Sequence, residues 1–337
     1  MTPRVARDLM AQPYRDTAIA FFGTSSFIGV IRNARILRRL IAAGIRPAVV
    51  VTAPDVPERR GQELLSAAVK SAALEFGLTV LQPKTLQGFA AELRAQRIEL
   101  SIVAAYGKIL PREVLAVPKF GSLNIHPSLL PRWRGTSPIQ ATILAGDSMT
   151  GITIIRMNEK IDHGPIIAKS EFPLDGRAWT APELSDALAD RGVDLLRQTI
   201  EPWMAGEITP QPQDDAAATY APLLRREDGH IDWTQPATHI VRMVRALQPW
   251  PTAFTFWQRG GDRLRLQVLA AEVFSGDAPD TPYRSAPGGV AERQGRLLVV
   301  TATAALEIVR LKLEGGAEMN ADAFLRGHRA LVGSVLA

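Results

Sequence analysis

Gly121-Ser122-Leu123-Asn124-Ile125-His126-Pro127-Ser128-Leu129-Leu130-Pro131-Arg132-Trp133-Arg134-Gly135 reads as a strand running straight into a stiff, apolar, proline-bounded loop. Side chains alternate along a strand, so Asn124 and His126 share one face while Ile125 points to the other. An amide beside an imidazole at a strand end suits acyl chemistry. The amide can hold a developing oxyanion and the imidazole can move a proton. The same pair could also close an ordinary strand, and the rest of the chain has to weigh between the two.

Upstream, Ala18-Ile19-Ala20-Phe21-Phe22 is a compact apolar strand ending at Gly23. A helix over 27–43, rich in Ile, Leu and Arg, is stopped by Gly44, and 48–52 forms a second buried strand. Helices over 62–76 and 87–97 alternate with strands at 79–81 and 100–104. Strands alternating with amphipathic helices predict an α/β fold with a parallel, doubly wound sheet. Ligands in such sheets bind beyond the carboxyl ends of the strands, where Asn124 and His126 fall. The loop Gly23-Thr24-Ser25-Ser26-Phe27-Ile28-Gly29 lacks the G-x-G-x-x-G spacing of a dinucleotide site, and a tight strand-to-helix turn explains it.

Downstream, a helix is predicted over 137–145, then strands at 151–156 and 166–172 around the polar turn Asn158-Glu159-Lys160-Ile161-Asp162-His163-Gly164-Pro165. A long amphipathic helix fills 181–205. The Pro-, Asp- and Ala-rich stretch that follows reads as a linker. After a helix at 237–247 and the break Pro249-Trp250-Pro251, short strands between 253 and 313 suggest a small β-barrel of the oligonucleotide-binding type. The expected organisation is a tail at 1–17, a first domain at 18–206, a linker at 207–220 and a smaller second domain at 221–337. No internal repeat is visible.

A chain of 337 residues has room for two domains with separate cores. Hydrophobic residues at 46% and charged residues at 22% are ordinary for a globular protein. The absence of Cys excludes disulfides and thiolate metal sites, and no other metal site is expected. The first 17 residues lack the apolar region of a leader, and no run approaches a membrane span, so a cytoplasmic protein is expected. Nothing suggests a self-association stripe, which leaves a monomer as the default. The net charge is +5, and residues 1–100 carry 14 Lys/Arg against 8 Asp/Glu while 208–337 carry 14 of each. The excess lies on the first domain, notably at Arg32, Arg35, Arg38, Arg39, Arg59 and Arg60. It suits a polyanionic partner such as RNA or, equally, a solvated helix face.

Acyl transfer to an amine needs a proton acceptor, an oxyanion donor and a group that fixes the state of the imidazole. Asp162 can complete the set, because a carboxylate orients a neighbouring ring. It could instead cap its turn, since Asp is common before Gly. No partner for His163 is evident in the sequence.

With these residues in view, the chain resembles the methionyl-tRNA formyltransferases. The resemblance rests on Asn124 to Gly135, Ser137-Pro138-Ile139-Gln140, Gly146-Asp147 and Thr150-Gly151-Ile152-Thr153-Ile154. It extends to Val103-Ala104-Ala105-Tyr106-Gly107, Thr52-Ala53-Pro54-Asp55, Ile231-Asp232-Trp233 and Pro249-Trp250-Pro251, nearly the whole chain from about residue 18. It implies a Rossmann-like formyltransferase domain followed by an OB-like, tRNA-binding domain. It further implies that 10-formyltetrahydrofolate gives its formyl group to the α-amino group of methionyl initiator tRNA. Asn124, His126 and Asp162 would be the catalytic trio. Ser128, Leu129, Leu130 and Pro131 would contact the folate, with Tyr106 and Gly107 near its pterin end. Arg60 and Gly61 align with the tRNA-gripping motif, although Gln62 and Glu63 stand where lysines are typical. Asn158 and His163 also depart from the family's more usual acidic residue and Thr. Trp233, Trp250, Phe254, Phe256 and Trp257 could stack on nucleotides, with core packing the expected role for most. The competing readings are an amino-sugar nucleotide N-formyltransferase, a hydrolase that discards the formyl group, and a non-enzymatic RNA-binding protein.

Overall fold

The structure is a computed structural model that describes residues 16–24, 33–55, 67–276 and 286–337. The chain divides into two compact units. One comprises Met1–Ile139, Ser148–Gly176 and Glu183–Leu223, and the other Gln140–Asp147, Arg177–Pro182 and Leu224–Ala337.

In the first unit, runs of Val, Ile, Leu and Phe become central strands because both faces of a parallel sheet are covered. β1 (Ile19–Gly23), β2 (Val49–Val51), β3 (Thr79–Leu81), β4 (Leu100–Ala104) and β5 (Ser122–His126) lie parallel in the order β3-β2-β1-β4-β5. Every residue of β1, β2, β4 and β5 is buried. The connections carry helices α1 (Asn33–Ala42), α2 (Ala67–Glu75), α3 (Ala90–Ala95) and α4 (Arg112–Leu115). One core cluster gathers Phe22, Phe89 and Tyr106, whose rings meet edge to face at 5.3 and 6.4 Å.

The parallel order expected from the sequence stops at β5. After the two-residue β6 (Arg134–Gly135) and helix α5 (Pro138–Ala145), strands β7 (Met149–Arg156) and β8 (Ile166–Pro173) extend the sheet antiparallel, to seven strands. A parallel β7–β8 pair would need a crossover of a dozen residues or more, and only the turn 157–165 joins them. Arg35 is bidentate on Asp190, Arg38 is bidentate on Glu75, and Arg39 lies near Asp190 and Asp194. The basic helix face is therefore largely neutralised by carboxylates of its own unit.

After helix α6 (Ala181–Met204) comes the stretch expected to be a linker, and it is held by the first unit. Gln211 exchanges two backbone hydrogen bonds with Ile166, at 2.7 and 2.8 Å. β9 (Tyr220–Ala221) then pairs with β6.

The second unit is antiparallel. β10 (Phe254–Arg259), β11 (Asp262–Val273), β12 (Val290–Arg293), β13 (Arg296–Val300) and β14 (Ala305–Leu313) run in the order β10-β11-β14-β13-β12, and β15 (Glu318–Asn320) pairs with β14. A register shift between Val268 and Ala271 falls where a bulge increases twist, and the sheet curls into a half-barrel. The last residues bridge its open side. Phe256 and Ala337 exchange backbone hydrogen bonds of 2.9 and 3.0 Å, and Leu336 donates to the Gly288 carbonyl. Helices α7 (Ala237–Ala246) and α8 (Ala321–Gly327) fill the interior with Ile240, Met243, Val244 and Phe324. Trp233 and Trp257 are core residues, and the Trp233 indole N–H donates to Thr255 Oγ1. Among the described residues no helix is long and apolar enough to cross a membrane.

Candidate active site

The alternation of β5 places Asn124 and His126 on one face, 8% and 3% exposed. Asn124 stands opposite Ile155 on β7, and Ile155 in turn stands opposite Ile166 at the start of β8. The β7–β8 turn therefore returns to the level of Asn124. It brings back Asp162, whose Oδ1 accepts from Asn124 Nδ2 at 3.1 Å and lies 3.6 Å from His126 Nδ1. Asp162 Oδ2 accepts from the Gly135 amide at 2.9 Å. Two side chains and one backbone amide thus converge on a carboxylate remote from them in sequence.

His126 Nε2 lies 2.9 Å from the Trp133 carbonyl oxygen. A carbonyl can only accept, so Nε2 carries the hydrogen and Nδ1 is the nitrogen turned toward Asp162. Asn124 Nδ2 bears two hydrogens, one directed at Asp162 and the second able to meet a carbonyl oxygen.

Asp162 and Trp133 both sit in the left-handed region, at φ of 48° and 59°. That conformation costs a non-glycine residue about 1 kcal/mol or more, so it persists only where neighbours impose it. Gln213 Nε2 donates to the carbonyls of Asp162 and Gly164, at 2.7 and 2.8 Å. A Cβ on Gly164 would stand 1.9 Å from the Arg156 carbonyl oxygen, so the turn closes only with glycine there.

The Ser128-Leu129-Leu130-Pro131 loop is fixed by its own hydrogen bonds. Ser128 Oγ donates to the Arg132 carbonyl at 2.6 Å. Thr153 Oγ1 donates to the Ser128 carbonyl and accepts from the Leu130 amide, at 2.7 and 3.0 Å. Ser128 and Leu130 are wholly buried, whereas Leu129 and Pro131 are half-buried and partly face solvent.

Tyr106 is 3% exposed, and burial pushes its hydroxyl up to about 12. Its ring belongs to the core, while Gly107 next to it is exposed at φ of 76° with its backbone open. Arg60 and Gly61 lie outside the described residues, as does most of the loop 23–29. His163, without a visible partner in the sequence, meets Asn158 Nδ2 at 3.1 Å and Asp215 Oδ2 at 3.2 Å. A groove lined by Arg112, Leu115, Met157, Asn158, Lys160 and His163 borders the Asp162 turn.

Thr153, Gln213, the Trp133 carbonyl and the Gly135 amide also support the site, and nothing in the sequence marks them for that part. Thr153 lies opposite His126 in the β5–β7 register, a pairing no local pattern shows. Gln213 sits in a Pro- and Asp-rich stretch whose composition gives no sign of contact with the site.

Residues 17–200 match the formyl transferase family, and residues 223–329 match the formyl transferase C-terminal domain. A methionyl-tRNA formyltransferase of Roseiflexus sp. (strain RS-1) is 43% identical over 314 residues, 92% of each chain. Among solved structures, HypX from Aquifex aeolicus in complex with tetrahydrofolic acid superposes with a TM-score of 0.59 at 17% identity, over 91% of this chain and 46% of that one. This chain thus spans about half the length of HypX. WlaRD, a sugar 3N-formyl transferase, superposes with a TM-score of 0.58 at 16% identity, over 86% of this chain and 96% of that one. At such identities these structures speak to the fold alone.

Proposed function

The chain belongs to the methionyl-tRNA formyltransferase family, and we propose that in it Asn124, His126 and Asp162 carry a formyl group from 10-formyltetrahydrofolate to the α-amino group of methionyl initiator tRNA. The observation that carries this reading is the meeting of Asn124 Nδ2 and His126 Nδ1 at Asp162 Oδ1.

When bound, 10-formyltetrahydrofolate supplies an activated formyl carbonyl on N10. The half-exposed Leu129 and Pro131 offer a flat body a stiff apolar wall. The exposed backbone at Gly107 and the groove beside Asn158 and His163 offer polar contacts for a pterin edge. Ser128 and Leu130, being buried, support the loop from behind.

As the amine adds to the formyl carbon, charge builds on the formyl oxygen. Asn124 donates its second N–H there, within a site already desolvated. His126 has Nε2 tied to the Trp133 carbonyl, so Nδ1 is the position that takes the proton from the attacking amine and returns one to the departing nitrogen. Asp162 holds amide and imidazole in register, and the Gly135 amide fixes the carboxylate's other oxygen. The protein works in the cytoplasm beside the translation apparatus.

The test is direct formylation. Purified protein mixed with 10-formyltetrahydrofolate and charged initiator tRNA yields formyl-methionyl-tRNA. Formylation of an amino-sugar nucleotide with none on tRNA would refute the reading. Arg60 carries the tRNA grip in this scheme. Arg60→Glu raises the KM for tRNA at least about tenfold, because a phosphate contact becomes a repulsion. The folate KM stays within about twofold, since folate is not held through that contact. Equal losses for both substrates would remove Arg60 from its role.

A further inference from the structure

The turn that presents Asp162 is gripped from behind by residues with no assigned part in the reaction. Gln213 Nε2 places one hydrogen on the Asp162 carbonyl and the other on the Gly164 carbonyl, at 2.7 and 2.8 Å. Its Oε1 accepts from Arg134 Nε at 3.0 Å. The Arg134 side chain is 2% exposed, and its Nη2 donates to Asp215 Oδ1 at 2.7 Å. The other oxygen of Asp215 meets His163 Nε2 at 3.2 Å, which closes a ring around the turn. Arg134 and His163 together hold the Asp215 carboxyl below the usual carboxylate range, Arg134 first.

The ring has a direction. A guanidinium only donates, so the carboxamide oxygen of Gln213 must face Arg134 and its NH2 must face the two carbonyls. Rotated by half a turn, the amide would set oxygen against two carbonyl oxygens. Arg134 therefore decides which way Gln213 points, and Gln213 holds the carbonyl of residue 162, whose φ is 48°. Arg134 also lies between Trp133, whose carbonyl meets His126, and Gly135, whose amide meets Asp162. Three consecutive residues thus act on the site, two of them from the short strand β6. That run is held by the segment carrying Gln213, through Trp133 N to Thr219 Oγ1 and Arg134 N to the Thr219 carbonyl, both 2.9 Å.

We propose that Gln213, aimed by Arg134, is a positioning residue for formyl transfer, holding the Asp162 turn so that its carboxylate stays between Asn124 and His126. The proposal rests on the catalytic trio given above. It makes the stretch around residue 213 part of the catalytic apparatus.

Gln213→Met keeps the side chain's length and removes its hydrogen bonds. Gln213→Glu keeps size and polarity but turns acceptors toward acceptors. Each is assayed in the full-length protein for kcat and folate KM, alone and combined with Asp162→Asn, alongside a melting curve. The expected result is a fall in kcat of about 10- to 100-fold for both variants, the scale for displacing a group by about an ångström. The folate KM should hold within about twofold, because the binding walls are untouched. On the Asp162→Asn background the same substitutions should cost less than about twofold, since a residue acting through Asp162 has nothing left to position. Unchanged kcat in Gln213→Glu or in a folded Gln213→Met, or the same loss on the Asp162→Asn background, overturns the proposal. If Asp162→Asn alone keeps full turnover, the trio itself fails and the clamp falls with it. A crippled Asp162→Asn beside fully active Gln213 variants overturns only the clamp.

Discussion

His126→Ala lowers kcat for formylation of methionyl-tRNA by about 100- to 10,000-fold, the range for removing a positioned acid–base group. In barrier height that is about 3–5 kcal/mol. Folate affinity should change by only a few-fold, because the imidazole touches the Trp133 carbonyl and the Asp162 carboxylate rather than the walls proposed for the folate. Single-turnover rates with equilibrium folate titration separate the two quantities. The ring is buried and packed, so a melting curve must accompany the rates. A folded His126→Ala protein that keeps most of its turnover would show that the proton travels by another route.

Asn124→Ala is expected to cost about 100- to 1,000-fold in kcat, or about 3–4 kcal/mol, as for loss of one oxyanion donor. The deletion also removes the 3.1 Å donor to Asp162 Oδ1, so part of the loss comes from a carboxylate no longer held at that oxygen. Asn124→Asp distinguishes the two contributions. It keeps the shape, replaces the donor by an acceptor, and places a second negative charge beside Asp162. If Asn124 serves as oxyanion donor, Asn124→Asp should fall at least as far as Asn124→Ala. An Asn124→Asp enzyme near full activity would mean that the formyl oxygen finds its donor elsewhere.

Formylation is legible in the sequence only through the family resemblance, whereas the placement of Asn124 and His126 side by side follows from local rules. Strand alternation puts Asn124 and His126 on one face, and apolar runs alternating with amphipathic helices produce the five parallel strands β1 to β5. The Pro-bounded Ser128–Pro131 segment reads as a stiff loop, and the structure anchors it through Thr153. The antiparallel β7 and β8 were not legible as such, because a short turn and an alternating pattern leave strand direction open until partners are known. The half-barrel of the second unit was visible as short strands. Its bridging by Leu336 and Ala337 was not, since a chain terminus carries no pattern pointing to Gly288 or Phe256.

Asp162 marks the division most clearly. Its residue type and its place before Gly164 suggested a carboxylate in a turn, equally fit to cap that turn or to serve His126. Only the return of β8 to the level of Asn124, and the left-handed backbone at residue 162, bring that carboxylate beside Asn124 and His126. Arg134 and Gln213 lie 79 positions apart, in a motif and in an apparent linker, yet one hydrogen bond joins them. The amino-acid order determined the strands, the loop and the chemical types available, because these follow from periodicity and from what each side chain can donate or accept. Which donors meet which acceptors was decided by tertiary structure, because a buried polar group takes whichever partner the packed chain brings within 3 Å, however remote in sequence.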